Sequence, residues 1–156
     1  MNGANISVKS LHGFVVVIGF VNKTACSTGG TLEVLDEIYL DVGPSRIRCF
    51  GCIVDLELGE PIPQWSPFAI PIGAASRRSV AEFLGVQMSG FYLPQFVIID
   101  KNGTHRLRCI ACGDDWWDVI NNLRFPIDAI VDEVSQNGQG QDRGGDTIDL
   151  RSSELS

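Results

Sequence analysis

The chain reads as an α/β domain with a central mixed sheet of four to five strands flanked by helices. Three observations point there. Phe14 to Phe20 is a continuous apolar run rich in β-branched residues, the pattern of a strand buried on both faces. Leu32, Leu35, Ile38 and Tyr39 then recur at helical spacing. Phe96 to Ile99 and Thr104 to Ile110 flank Lys101-Asn102-Gly103, and Asn-Gly between two β runs is the strongest short hairpin signal. Strand, helix and strand in sequence imply a right-handed crossover between parallel strands, and the hairpin adds antiparallel ones.

The elements follow in order. Thr24, Ser27 and Thr28 offer N-caps for the first helix, which Gly43-Pro44 stops. Arg46 to Val54 reads as the second strand. Residues 55–67 hold Pro61, Pro63 and Pro67 and form a loop, with Trp65 expected to fold over a neighbour. Phe68 to Ile72 reads as short and extended. Ser76 caps a helix that carries Val80, Phe83 and Leu84 and ends at Gly85. After the hairpin, Gly113-Asp114-Asp115 opens a last helix through Trp116, Trp117, Ile120 and Leu123. Pro126 is expected to kink or restart it, and Ile127, Ile130 and Val131 continue its apolar face. From Ser135 large apolar residues nearly vanish, so residues 1–134 form the domain and 135–156 a disordered polar tail.

Bulk properties exclude several classes. The 156 residues suit one domain, and a net charge of −7 without a basic cluster makes nucleic acid and anionic membrane poor partners. No apolar run approaches the ~18 residues of a membrane span. The opening Met1-Asn-Gly-Ala-Asn-Ile-Ser7 lacks the pattern of a signal peptide. As it stands the sequence reads as cytoplasmic, and as exported if a signal has been removed. Five cysteines are an odd number, so at least one is unpaired in a monomer.

Three blocks now stand in a fixed order. The first strand delivers Cys26-Ser27-Thr28-Gly29 to a helix start. Phe68-Ala-Ile-Pro-Ile-Gly73 and Val80-Ala-Glu-Phe-Leu-Gly85 follow. Leu93-Pro94 then leads into Val97-Ile-Ile-Asp-Lys-Asn-Gly103. Over residues 6–134 this order resembles the thioredoxin superfamily, in particular the TlpA-like/redoxin (AhpC/TSA) branch of bacterial thiol-disulfide proteins, with its N-terminal hairpin mostly absent. The resemblance implies a thioredoxin-like fold, thiol-disulfide exchange, no cofactor, and thiols or disulfides of proteins or small molecules as partners. It also implies that Cys26 is the nucleophile, and that Leu93 and a cis Pro94 face it and bind extended substrate. In that family a second cysteine, three residues after the first, resolves the mixed disulfide. Here that position is Gly29.

The residues themselves give the chemistry a reason. A thiol at a helix N-terminus meets unpaired N–H groups and the positive end of the helix dipole, which favour thiolate. Lys23 adds a nearby positive charge that lowers the Cys26 pKa further. Without a cysteine at position 29, Cys26 is left with a monothiol cycle in which another thiol resolves the mixed disulfide. Cys112 and Cys52, each near the rim end of a strand, are candidate resolvers if they come within about 7 Å of Cys26. The alternative is a catalytically degenerate binding module that uses the groove beside Pro94, and Gly29 is the feature that favours it. A peroxiredoxin-type peroxidase needs Pro-x-x-x-Thr/Ser-x-x-Cys, whereas Gly19 and Lys23 stand at those positions before Cys26.

Two further Cys-x-x-Cys pairs, Cys49/Cys52 and Cys109/Cys112, invite a zinc reading. The predicted sheet places two strands between them, about 14 Å apart at ~4.8 Å per strand, so no metal site is expected. Within a strand, positions i and i+3 face opposite ways, so these pairs read mostly as small buried hydrophobes. His12 and His105 read as surface residues.

Overall fold

The computed structural model describes residues 5–23, 27–57, 60–61, 67–110, 116–133, 147–149 and 151–152. Within them the chain forms β1 (Asn5–Ser7), β2 (Val15–Asn22), α1 (Ser27–Val42), β3 (Ile47–Val54) and β4 (Ile72–Ala75). It continues through α2 (Arg77–Leu84), β5 (Gln95–Ile99), β6 (His105–Ile110) and α3 (Trp116–Asp132) to β7 (Thr147–Asp149) and β8 (Arg151–Ser152). The main sheet has the order β6-β5-β2-β3-β4-β8. β2, β3 and β4 are mutually parallel, while β5 and β6 form the expected antiparallel hairpin against β2.

Five substantial strands match the predicted mixed sheet, and the two residues of β8 extend it at one edge. β2 is buried along nearly its whole length, as its apolar run requires. One face packs Val34, Leu35 and Ile38 of α1 and Leu123, Ile127 and Ile130 of α3 against Val15, Val17, Cys49, Phe96 and Ile98. The other face packs Val80 and Phe83 of α2 against Ile18, Phe20, Cys52, Val97 and Ile99.

Two glycines set the height of α1 above the sheet. A Cβ at Gly19 would lie 2.5 Å from Leu35 Cδ1, and one at Gly51 would lie 2.6 Å from Leu32 Cδ2. The bare backbone of β2 and β3 thus lets α1 settle into contact, and with it the helix start that follows Cys26.

α2 conforms to its predicted caps: Ser76 accepts from Ser79 N, and Gly85 takes the left-handed conformation at φ 65°. The expected strand at 68–72 is displaced to 72–75. The amides of Ala69 and Ile70 donate instead to Asp36 Oδ1 of α1, at 2.7 and 3.0 Å. Pro71 has no N–H to give, so the ladder with β3 starts after it. Pro126 does not make the last helix restart, for α3 runs through it unbroken to Asp132. Buried Leu123, Ile127 and Ile130 hold the helix on the sheet on both sides of the proline. Trp65 and the predicted opening of the last helix at 113–115 lie outside the described residues.

The polar tail also departs from its expectation at two places. β7 pairs antiparallel with β1, and β8 pairs antiparallel with β4. Strand pairing draws on backbone groups, so low side-chain hydrophobicity does not forbid it.

Candidate functional site

Strand register brings Cys52 and the start of β5, just after Leu93 and Pro94, to the same end of the sheet. Phe20 of β2 is opposite Cys52 of β3 on one side and Gln95 of β5 on the other, and Gln95 is opposite Ile110 of β6. Cys52, Phe20, Gln95 and Ile110 therefore form one row across four strands. Just beyond it β2 ends and the chain leads through Lys23 to Cys26, while Pro94 enters β5. The Leu93–Pro94 peptide bond is cis. Cys26 itself, like Cys112, lies outside the described residues; in sequence it immediately precedes Ser27, the first residue of α1.

The loop before Pro94 is held from two sides. Asp55, at the end of β3 with φ 61°, accepts from Arg77 N at 2.9 Å and from Arg77 Nε at 2.8 Å. Aspartate is among the few non-glycine residues that enter this left-handed region readily. The Arg77 guanidinium then lies 5.2 Å from the centre of the Phe91 ring and donates to Phe91 O at 3.4 Å. On the other side, buried Gln95 donates through Nε2 to Tyr92 O at 2.5 Å. Its Oε1 has no hydrogen-bond partner among the described residues. Met88 and Tyr92 of this loop are exposed apolar side chains, at 49% and 64%.

Gln95 and Arg77 are absent from the sequence-based candidates. A polar residue directly after a proline and inside an apolar run was a signal for Gln95. Arg77 carries no such local mark, because its partners come from β3 and from the loop after α2.

The cysteines divide by environment. Cys49 and Cys52 are fully buried and pack into opposite faces of the sheet, as alternation along a strand requires. Burial, with a smaller push from Asp36, raises the Cys49 thiol to about 12, and burial alone drives Cys52 further above its ordinary range. A neutral, core-packed Cys52 is a poor attacking thiol. Cys109 packs against the α1/α3 face from edge strand β6. Two strands, β5 and β2, separate β6 from β3.

Lys23 does not present a free charge to its surroundings. Its Nζ is paired with Glu60 at 2.9 Å, which raises the lysine pKa and lowers that of the carboxylate. The pairing offsets the charge that Lys23 was expected to lend Cys26. His105, expected at the surface, is half-buried with its ring 5.0 Å from that of Phe83. A cavity of about 190 Å³ lined by Leu84, Val97 and residues 105–108 lies away from the rim row and contains none of the candidate residues. No described helix is long and apolar enough to cross a membrane.

No protein-family model matches the chain, and no curated protein does. Solved structures do. A thioredoxin-like superfamily protein aligns at TM-score 0.63 and 14% identity, covering 86% of this chain and 91% of its own. A structure named for a thiol:disulfide interchange protein, DsbE, of Chlorobium tepidum aligns at 0.64 and 12% identity, with coverages of 83% and 94%. A thiol-disulfide isomerase from Corynebacterium glutamicum aligns at 0.59 and 14% identity, with coverages of 85% and 90%. Together with the sheet order and the two helical layers, these likenesses establish that the chain has the thioredoxin-like fold.

Proposed function

We propose that the protein is a thiol-disulfide oxidoreductase working through a single nucleophile, Cys26. The observation that carries this reading is the register Phe20–Gln95. It sets the strand end leading to Cys26 beside Pro94, while α1 begins at the very next residue, Ser27. In the proposed cycle the Cys26 thiolate attacks one sulfur of a substrate disulfide. The substrate S–S bond breaks, a Cys26 mixed disulfide forms, and the departing thiolate takes up a proton. A second thiol, from a small molecule or a protein, then attacks the substrate sulfur and releases Cys26 as thiolate. Leu93 and Pro94 hold the extended chain that carries the disulfide. The naming of several fold neighbours as thiol-disulfide proteins supports the reading.

Gly29 favours a second reading, in which the groove beside Pro94 binds peptides without turnover. No described neighbour imposes that glycine: a Cβ added there meets nothing within 4 Å among the described residues. Gly29→Cys tests both readings. On the oxidoreductase reading, mild oxidation of the variant joins Cys26 to the introduced thiol in a disulfide, since i and i+3 share a helix face. Its reduction of an insulin disulfide by dithiothreitol then runs at least about tenfold faster than that of the unaltered protein, as expected when resolution becomes intramolecular. A variant that forms no such disulfide and shows no gain leaves the binding module as the better reading.

A further inference from the structure

A cleft of about 190 Å³ lies between Leu84, the last residue of α2, and edge strand β6, outside the row Cys52–Phe20–Gln95–Ile110. Its apolar side comes from Val97, which is fully buried, and from Leu84, which packs against the same core. Residues opposite each other on paired strands share a face. Arg108 is opposite Val97 and His105 is opposite Ile99, so both rise from β6 on the face that α2 covers. The half-buried His105 ring stands 5.0 Å from that of Phe83 and adds a flat wall. The two arginines of the strand differ in their commitments. Arg106 is held by Glu133 and Asp100. Arg108 is exposed and has no acidic partner among the described residues.

We propose that this cleft binds a small organic monocarboxylate with an aromatic or branched body, the body resting on Leu84 and Val97 and the carboxylate on Arg108. Size sets the class. An apolar cavity of about 150 Å³ takes one benzene ring, so about 190 Å³ takes a ring with a carboxylate and little more. Charge sets the sign. A guanidinium presents a fork of N–H donors that matches a carboxylate, and such charge-assisted bonds are about twice as strong as neutral ones. An apolar pocket with one or two placed polar groups is the usual make-up of a small-ligand site. In a chain of net charge −7, an arginine with no acidic partner beside an apolar cleft is the group a carboxylate satisfies. The proposal goes beyond the thiol-disulfide reading and does not depend on it: a Cys26→Ser chain should bind the same ligand equally well.

The probe is sodium benzoate, titrated into the full isotope-labelled chain and followed by amide chemical shifts. The amides of residues 84, 97 and 105–108 are expected to shift along curves that saturate in the millimolar range, the affinity that so few ligand atoms supply. Benzyl alcohol keeps the ring without the charge, and acetate keeps the charge without the ring. Each should bind at least about tenfold more weakly than benzoate. Arg108→Gln should weaken benzoate at least about tenfold and leave benzyl alcohol unchanged. Benzoate that binds no better than acetate reduces the cleft to a surface charge and overturns the proposal. Benzoate that binds no better than benzyl alcohol removes the part given to Arg108 and overturns it too. So do shifts that fail to saturate or that centre elsewhere, and a folded Arg108→Gln chain that binds benzoate unchanged. The three ligands are compared on the unaltered protein, so the comparison decides even where the variant does not fold.

Discussion

A thiol buried in a core and a thiol at a helix start carry the same atoms in opposite electrostatic settings. Cys49 and Cys52 sit among aliphatic and aromatic side chains that cannot solvate a thiolate, so their pKa values rise. Both therefore resist alkylation in the native state and react only when the protein opens, so their modification rates in increasing urea should track unfolding. Reaction of either at the rate of a free thiol in native buffer would contradict that placement. The sequence made this division legible through alternation, because i and i+3 on a strand face opposite ways. What it could not reveal was the role of Gly19 and Gly51, since a close approach needs both surfaces to be known. Gly19→Ala pushes a methyl against Leu35 in a filled core and should cost about 1–3 kcal/mol, read as a lowered urea midpoint. A neutral result would mean that α1 can lift without penalty.

At the scale of elements, the candidate site is a junction of strand ends and a braced loop. Asp55, Arg77 and Phe91 tie β3, α2 and the loop before Pro94 into one unit. Both charged side chains are partly solvent-exposed, so their worth to stability is small: Arg77→Ala should cost about 1 kcal/mol. Its larger effect is expected on KM for an extended disulfide substrate, with the Cys26 alkylation rate unchanged. If both change together, Arg77 acts on the thiol itself and not through the loop. Element positions were legible where local signals agree, as with Ser76, Gly85 and the Asn102-Gly103 turn. They were misread where a distant group intervened: Asp36 captures the amides of residues 69 and 70 and delays β4.

For the whole molecule, one tie joins the hairpin to the end of the last helix. Arg106 pairs with Glu133 and Asp100, and Lys101 Nζ reaches the carbonyls of Val131 and Glu133 at 2.6 and 3.0 Å. A cation at a helix C-terminus is favourably placed. The hydrogen bonds from Arg106 lower the Glu133 pKa from 4.5. A carboxylate depressed in the folded state contributes stability above its unfolded pKa and loses it as pH falls through the lower folded value. Glu133→Gln should therefore flatten the loss of stability below about pH 4.5 in acid titrations followed by circular dichroism. An acid limb identical to that of the unaltered protein would show that the pair contributes nothing.

The parallel crossover, the hairpin and the flanking helices were readable from residue order, but the placing of β4 and β8 beyond β3 was not. The covered β4 edge was not, because composition speaks of side chains and strand addition uses backbone. The central claim remains that Cys26 is an activated nucleophile. It is tested most directly by the pH dependence of alkylation at each cysteine of the reduced protein, followed by peptide mass spectrometry. The account predicts that Cys26 reacts fastest, with an apparent pKa below about 7.5 against ~8.5 for free cysteine. A Cys26 no faster than Cys49 and Cys52 would contradict it.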